Sequence, residues 1–176
     1  MPAPTSRLLR YSVAMSLDGY IAGPKGEYDW ITLDSKIDFG ALFRQFDTLL
    51  MGRRTYQTIL SRGQSPASMG MNAIVVSTTL EAAKHPGVTI ISNSIREEVA
   101  ALKERPGRDI WLYGGGVLFR SLLEAGLVDS VELQVIPVLL GDGIRLLPGG
   151  RRCPLRLKES KALPSGILAL HYSVAR

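Results

Sequence analysis

Residues 110–119, with the sequence Ile-Trp-Leu-Tyr-Gly-Gly-Gly-Val-Leu-Phe, have the composition of a site that binds phosphate. The three glycines follow an apolar run, and a backbone without Cβ atoms lets a ligand approach closely. A helix predicted over 117–124 would add unpaired N–H groups and the positive end of its dipole. A diphosphate could therefore bind here. The glycines could instead form only a tight turn, because their spacing is not the full dinucleotide-binding fingerprint.

A second strand–turn–helix pattern lies at residues 48–60. The apolar run 48–51 ends at Gly52, and the helical segment that follows begins with Arg53, Arg54 and Thr55. Guanidinium, hydroxyl and free N–H groups at a helix start are suitable donors to phosphate oxygens. We therefore predict a second anion site at this turn.

Composition excludes several classes of protein. The chain has 176 residues, of which 45% are hydrophobic, which is enough for one domain over 1–176 with a substantial core. The apolar runs are too short to span a membrane and no signal peptide is recognisable, so a cytoplasmic protein is expected. One cysteine, Cys153, and two histidines, His85 and His171, offer no zinc-type cluster. Metal catalysis is not expected.

The net charge of +5 raises the alternative of nucleic-acid binding. The basic residues are scattered, with short clusters only at 53–54 and 151–152, and no aromatic residues are interleaved with a basic stripe. An excess of basic over acidic residues also suits a protein that binds a polyanionic cofactor. We therefore expect no nucleic-acid partner, and a basic nucleic-acid-binding module remains the weaker alternative.

The order of the predicted elements indicates an α/β fold. Strands are predicted at 7–16, 48–51, 72–77, 88–91 and 109–113, and helices at 35–46, 53–60, 95–105 and 117–124. Because strands and helices alternate, a mostly parallel sheet with helices on its faces is expected. A long strand at 128–138 and an alternating pair at 155–162 and 167–175 predict an antiparallel C-terminal hairpin.

Two helix starts and one loop complete this outline. Asp34 or Ser35 could cap the helix at 35–46, and Ser92 or Asn93 the helix at 95–105. Residues 18–34 contain turn signals but no lasting period, which predicts a long loop after the first strand. Long loops of this kind are often lids or binding loops.

Five motifs in order resemble the dihydrofolate reductase-like superfamily, and within it the C-terminal reductase domain of the riboflavin-biosynthesis bifunctional enzyme. They are Ser-Leu-Asp-Gly-Tyr-Ile-Ala at 16–22, Met-Gly-Arg-Arg-Thr-Tyr at 51–56, Val-Val-Ser-Thr at 75–78, the triple glycine with Gly-Leu-Val-Asp at 126–129, and Pro-Val-Leu-Leu-Gly-Asp-Gly at 137–143. The resemblance covers nearly the whole chain. It implies a three-layer fold in which helices flank a mostly parallel central sheet.

The resemblance also implies that NADPH binds across the carboxyl ends of the parallel strands. The implied cofactor-binding residues are Val13, Ala14, Ile21, Gly114 and Gly115 near the nicotinamide, Gly116, Val117, Leu118 and Phe119 near the diphosphate, Gly52, Arg53, Arg54 and Thr55 at the second anion site, and Ser77 and Thr78 at the adenosine 2′-phosphate. Val13, Ala14 and Ile21 could also be plain core residues. No arginine directly follows Ser77, so NADH remains an alternative to NADPH.

The substrate side is less defined. By resemblance, Trp30 suits an aromatic lid position, and Asp34 and Asp38 are the candidates for a catalytic acid, although an Asp at a helix start is commonly an N-cap. The function implied is an NADPH-dependent reductase for a small heterocyclic or carbonyl substrate, pterin- or pyrimidine-like. The alternative within the same fold is a nucleotide-binding protein without turnover.

A homodimer is predicted from apolar residues near the C-terminus. Val131, Leu133 and Val135 give the strand at 128–138 one apolar face, and further apolar residues follow at Leu139, Leu140, Ile144, Leu146 and Leu147. Exposed apolar patches usually mark interfaces. The resemblance implies two-fold pairing through the C-terminal strands. The same residues could instead close the core of a monomer.

Overall fold

The structure, a computed structural model, describes residues 6–175. The strands of this range are β1 Leu9–Ser16, β2 Tyr20–Ala22, β3 Phe46–Gly52, β4 Asn72–Val76, β5 Val88–Ile91, β6 Asp109–Gly114, β7 Ser130–Ile136, β8 Ile144–Arg145, β9 Leu155–Ala162 and β10 Leu168–Val174. The helices are α1 Phe39–Phe43, α2 Arg53–Ser61, α3 Ile95–Glu104 and α4 Gly116–Glu124, with 3₁₀ turns at Pro66–Met69 and Ala82–Lys84.

Within residues 6–175, eight strands form the main sheet in the order β5-β4-β3-β6-β1-β7-β10-β9. The pairs from β5 to β7 are parallel, whereas β10 runs antiparallel to both β7 and β9. The short strands β2 and β8 pair separately. The expected mostly parallel sheet with an antiparallel C-terminal hairpin is confirmed.

Alternating side chains of the parallel strands form one core on each face of the sheet. Leu50 and Leu112 join a cluster with residues of α3 and α4. Their neighbours Met51 and Trp111 join a second cluster on the opposite face, which residues of α1 and α2 cover. Successive side chains of a strand point to opposite faces of the sheet, and both faces are covered here. The strands therefore appear in the sequence as continuous apolar runs. The three-layer architecture is confirmed.

Helix α1 is shorter than the helix predicted at 35–46, and its cap is Asp38, which accepts a hydrogen bond from the Ala41 N–H at 2.8 Å. Asp34 does not cap it, because its carboxylate binds the backbone of Lys36 and Ser165 instead. Helix α3 follows Ser94, in the left-handed region at φ 49°, rather than Ser92 or Asn93. The expected loop at 18–34 contains β2, and β7 is shorter than the strand predicted at 128–138.

The apolar face predicted on β7 is not exposed. Val131, Leu133 and Val135 are buried in the core beneath α4, so they contribute no surface patch. Leu146 and Leu147 pack against the same core. Leu139 and Ile144 do remain exposed, at 70% and 41%.

The exposed apolar surface near the C-terminus lies mainly on the β9–β10 pair. Every residue of β9 is exposed, including Leu155 at 41% and Leu157 at 51%. Leu157 stands opposite Tyr172 and Leu155 opposite Val174, and directly opposed residues of antiparallel strands share one face. Tyr172 in turn stands opposite the buried Val131. The exposed leucines therefore extend the α4 face of the sheet beyond its helical cover.

Candidate active site

Two helices begin side by side at the carboxyl ends of the neighbouring strands β3 and β6. Gly52 is the N-cap of α2 and Gly115 is the N-cap of α4. Because glycine has no side chain, neither N-cap residue can accept a hydrogen bond from the first N–H groups of its helix. A Cβ atom on Gly52 would lie 3.9 Å from the Gly115 nitrogen. The free N–H groups and positive dipole ends of both helices therefore converge on one place, which suits a diphosphate.

The fold requires glycine at two of the three positions 114–116, for different reasons. Gly114 has φ 143°, a conformation that side chains rarely adopt. A Cβ atom on Gly116 would lie 2.7 Å from the Arg145 carbonyl oxygen, so this glycine allows residues 145–148 to pack against α4. A Cβ on Gly115 would meet only the Thr55 hydroxyl, at 3.5 Å. A cis peptide bond joins Gly114 to Gly115. Of the three, Gly115 is the one at which a side chain would meet no clash and no unfavourable φ.

The first turn of α4 offers backbone groups rather than side chains. Phe119 is buried, its ring stacks on Tyr11 with centroids 3.9 Å apart, and its N–H donates to the Gly115 carbonyl oxygen at 3.0 Å. Leu118 is buried in the same core, and the Val117 side chain is exposed. The N–H groups of residues 116–118 precede the first intrahelical bond. They are the donors available to an anion, and Phe119 is not one of them.

A turn after β4 carries the second group of predicted residues. Ser77 is buried, and its hydroxyl accepts hydrogen bonds from the Thr79 and Leu80 N–H groups at 3.2 and 3.1 Å, so it builds the turn. The Arg53 guanidinium donates to the Thr79 hydroxyl at 3.0 Å. Thr78 is exposed at the same turn. Arg53, Thr78 and Thr79 thus form a polar surface at the end of β4.

Thr79 was not identified from the sequence. The signal that could have indicated it is its position two residues beyond the strand predicted at 72–77. Arg54 is exposed next to Arg53. Thr55 points instead toward the glycines, because its hydroxyl is the nearest group to both Gly114 and Gly115. The predicted residues 52–55 therefore divide between the diphosphate region and the turn after β4.

The main sheet opens between β1 and β6. Their pairing ends at Tyr11 and Leu112, whereas β1 continues to pair with β7 as far as Ser16. Val13 and Ala14, although in a central strand, are only half-buried. The side chain of Trp111 reaches across, and its Nε1 donates to the Ser12 carbonyl oxygen at 2.8 Å. The opening therefore exposes part of β1 next to the glycines that end β6.

Val13 and Ala14 face opposite sides of the sheet. Val13 packs against the core beneath α4, whereas Ala14 packs against a cluster around Ile136 that includes Trp30. Ile21 lies in β2 and is half-buried. These three residues are therefore partly core residues. The exposed part of Val13 and Ala14 is the surface that a ligand in the opening could contact.

Residues 17–38 cross the α1 face of the sheet and are fixed at several points. Trp30 donates through its Nε1 to the Glu27 carbonyl oxygen at 3.1 Å. The Arg62 guanidinium lies 3.3 Å from the centroid of the Tyr28 ring, which joins this segment to the end of α2. The segment therefore lies against the sheet, with Trp30 packed on the cluster around Ile136.

Both predicted catalytic carboxylates have structural partners. Asp34 accepts hydrogen bonds from the Lys36 N–H at 2.7 Å and the Ser165 N–H at 3.1 Å. Hydrogen bonding by the Ser165 side chain, followed by the Lys36 N–H, holds the pKa of Asp34 below its ordinary value. Asp38 is exposed and caps α1. A catalytic role for either residue stays a prediction.

A charged row, which the sequence did not reveal, lies on the same face beyond Ser12. Arg10 binds both oxygens of Glu132, with distances of 2.7 and 2.9 Å, and Glu132 Oε1 lies 3.7 Å from His171 Nε2. Burial alone would raise the pKa of Glu132, but the hydrogen bonds and charge of Arg10 outweigh it and lower this pKa. Glu132 is therefore held as a carboxylate.

Two other kinds of site were sought in the part of the chain that the structure describes. Residues 6–175 contain no group of three or more His, Cys, Asp or Glu side chains arranged to hold a metal ion. Over the same residues, no helix has the length and hydrophobicity needed to cross a membrane.

The sequence matches the model of the RibD C-terminal domain family over residues 7–169. It is 32% identical over 178 residues to YyaP, an uncharacterized protein of Bacillus subtilis (strain 168), which covers 94% of each chain. Both matches extend over the glycines at 52 and 114–116 and over the opening beside β1.

Solved structures resemble the fold as a whole. A protein from Shewanella sp. PV-4, described as a riboflavin biosynthesis protein, has a TM-score of 0.81 at 25% identity, with 97% of this chain and 99% of that chain covered. Dihydrofolate reductase from Enterococcus faecalis, solved with NADP(H), has a TM-score of 0.66 at 20% identity, with 95% and 94% covered, which shows a common fold. The chain therefore belongs to the RibD C-terminal domain family and has the dihydrofolate reductase-like fold.

Proposed function

We propose that this protein is a reductase that uses NADPH to reduce a small flat heterocycle or carbonyl compound, pterin- or pyrimidine-like in shape. The observation that carries the proposal is the convergence of two uncapped helix starts, at Gly52 and Gly115, beside the opening between β1 and β6. Membership of the RibD C-terminal domain family supports a reductase. The dihydrofolate reductase with the same fold was solved with NADP(H), which supports the choice of cofactor.

The described residues fit a dinucleotide. The diphosphate would lie between the N–H groups of residues 116–118 and the start of α2, close to Gly115, which has no side chain to obstruct it. Arg53, Thr78 and Thr79 would bind the 2′-phosphate, because a guanidinium and two hydroxyl groups are suitable donors to its oxygens. The nicotinamide would lie in the opening, against Val13, Ala14 and Gly114.

This arrangement assigns the redox chemistry to the cofactor and orientation to the protein. Bound NADPH would supply a hydride that, with one proton, reduces a C=N or C=O bond of the substrate and leaves NADP⁺. Residues 17–38 would close over the substrate and exclude water, with Trp30 against its apolar part. Glu132 and Arg10 would place a neutralised, bidentate ion pair on the floor of the substrate side.

A nucleotide-binding protein without turnover is the second candidate. One observation favours it, since both predicted catalytic carboxylates are engaged in structural hydrogen bonds. Calorimetry with NADPH tests cofactor binding, and the loss of absorbance from NADPH with a panel of pterins, pyrimidines and small carbonyl compounds tests turnover. Binding with turnover supports the reductase, and binding without turnover of any compound supports the second candidate. The absence of NADPH binding would contradict both.

We also propose that two chains pair through the apolar face that extends over β9 and β10. Leu155, Leu157 and Leu168 are at least 39% exposed, and β9 is an edge strand over its eight residues. Exposed apolar side chains on a free sheet edge are a common interface. The resemblance to reductases that pair through their C-terminal strands supports the same surface.

A further inference from the structure

Gln134, on the central strand β7, has a side-chain oxygen that is shielded from solvent. This oxygen has no hydrogen-bond partner among the residues that the structure describes. Buried amide groups are almost always hydrogen-bonded in folded proteins, because an unpaired polar atom in a protein interior is unfavourable. The residue as a whole is only partly buried.

The strands on either side of Gln134 place small side chains next to it. Its register partners are Ala14 on β1 and Ala169 on β10, both with the smallest side chain that has a Cβ atom. Neighbours in register project from the same face of a sheet, so the carboxamide stands between two methyl groups. Ala14 also lies where β1 has already parted from β6.

The surroundings of Gln134 change in character along β7. Two residues further on, Ile136 belongs to an apolar cluster with Trp30 and Ile37. Two residues before, Glu132 is paired with Arg10. All three β7 residues share one face because side chains alternate along a strand. The carboxamide therefore lies at the border between an apolar wall, suited to a ring, and a charged row.

We propose that the Gln134 carboxamide orients the substrate by binding the amide-type edge of a flat heterocycle, an N–H group beside a C=O group. This inference rests on the proposed reductase function and specifies the substrate side of the opening between β1 and β6. A carboxamide offers one acceptor and two donor hydrogens in a plane, so it can pair with both groups of such an edge. A site built to hydrogen-bond an edge of this kind discriminates strongly against analogues that lack it.

Tyr11 provides the contrast. Its hydroxyl is the other buried side-chain group without a partner in residues 6–175, but Tyr11 is fully buried and its ring stacks on Phe119 beneath α4. It lies in the core on the opposite face of the sheet from Gln134. No ligand in the opening would reach it, so Tyr11→Phe is a matched control that removes an unpaired polar group elsewhere.

The test uses two ring probes that differ only in the proposed edge. Lumazine, a fluorescent pteridinedione, has N–H groups beside its carbonyl groups, and 1,3-dimethyllumazine has the same ring with those N–H groups methylated. Both are titrated into the full chain, with and without saturating NADP⁺, for the wild type, Gln134→Met and Tyr11→Phe. Met matches the length of Gln without its donors or acceptor. Calorimetry with NADP⁺ on the same variants reports the cofactor site separately.

The wild type is expected to bind lumazine roughly ten- to a hundredfold more tightly than the dimethyl compound, as expected for lost hydrogen bonds to a buried amide. Gln134→Met should bring that ratio near one with unchanged NADP⁺ affinity, and Tyr11→Phe should keep the wild-type ratio. If Gln134→Met does not fold, Gln134→Leu, which also lacks the acceptor oxygen, should still bring the ratio near one.

A wild-type ratio near one, an unchanged ratio in the Gln134 variants, or no binding of lumazine up to its solubility limit would each overturn the assignment. Loss of NADP⁺ binding in the wild type would instead overturn the proposed cofactor. The titration without NADP⁺ would still report on Gln134 in that case, so the two failures are distinguishable.

Discussion

The Nε1 of Trp111 on β6 donates a 2.8 Å hydrogen bond to the carbonyl oxygen of Ser12 on β1, directly after the backbone pairing of these two strands ends. A side chain thus supplies the donor that a continuing strand would have supplied. The bond satisfies a backbone acceptor and holds the two edges of the opening at a fixed separation.

The first prediction concerns this bond. Trp111→Phe retains an aromatic ring in the core but leaves the Ser12 oxygen without its donor, so the free energy of unfolding should fall by about 1–3 kcal/mol. NADPH affinity should fall as well, because β1 would be less well fixed. Urea unfolding and calorimetry measure the two effects. A variant as stable as the wild type with unchanged NADPH affinity would contradict the assigned role.

Gly115 tests the diphosphate site. A side chain there meets only the Thr55 hydroxyl, at the ordinary contact distance of 3.5 Å, so Gly115→Ala should fold normally. The new methyl group would occupy the space proposed for the cofactor, and Gly115→Val would fill it further. NADPH affinity should drop about tenfold or more in the first variant and become undetectable in the second by calorimetry. Wild-type affinity in a folded Gly115→Val protein would exclude this site.

Arg53 and Arg54 form a matched pair for the 2′-phosphate. Both are exposed, but the structure gives only Arg53 a bond to Thr79. Charge-assisted hydrogen bonds contribute about 1.5–3 kcal/mol, so Arg53→Gln should reduce the preference for NADPH over NADH by roughly one to two powers of ten. Arg54→Gln should change it less than about threefold. Equal effects of the two variants would mean that this turn does not read the phosphate.

Asp18 links stability to pH. Its carboxylate accepts hydrogen bonds from the Ser16 hydroxyl and from the Leu140 and Gly141 N–H groups, and these lower its pKa from 3.8 to about 2, with the Ser16 bond the largest cause. A pKa lowered in the folded state contributes stability above the ordinary pKa, and this contribution is lost as pH falls from about 4 to about 2.

Asp18→Asn should therefore be less stable than the wild type at pH 7, and the difference should shrink over that acidic range. Urea unfolding at several pH values measures it. Asp29→Asn, an exposed carboxylate in the same segment, is the control and should follow the wild type. A difference that stays constant down to about pH 2 would contradict the role of Asp18.

Leu157 tests the assembly. The wild type should have twice the chain mass of 19.2 kDa in light scattering at micromolar concentration. Leu157→Lys places a charge on the proposed interface and should shift the mass to that of one chain. Leu33→Lys changes a leucine that is 74% exposed on the loop and should leave the mass unchanged. A wild-type mass of one chain would show that the β9–β10 face has another role.

Local patterns predicted the parts of this site that depend on neighbouring residues. The strand–turn–helix units at Gly52 and Gly115 were predictable because a strand, a glycine and a helical period follow one another directly. The cap of α1 was not predictable, because the Asp34 carboxylate accepts a hydrogen bond from the Ser165 N–H, 131 residues further on. The sequence likewise did not determine which of the C-terminal apolar residues α4 would cover.

Register explains the remaining omissions. Trp111 reads as a core residue, and only the pairing of β6 with β1 places its Nε1 at the Ser12 oxygen. Gln134 reads as an outward polar residue in an alternating strand, and its importance appears once Ala14 and Ala169 are known to flank it. Such roles depend on strands that are distant along the chain.

The central position of β1 has a consequence for how the chain acquires its fold. The Leu8 N–H bonds to Asp109, 101 residues away, and the Leu9 N–H to Asp129, 120 residues away. Contacts so distant in sequence close late and slow folding, because the chain entropy lost in forming them must be overcome first. During synthesis the eight residues of β1 emerge before β6 and β7, and both edges of β1 stay unpaired until those strands have followed. A nascent chain must therefore carry a central strand unprotected until residues 109–136 have been synthesised, and the opening beside β1 forms only after them.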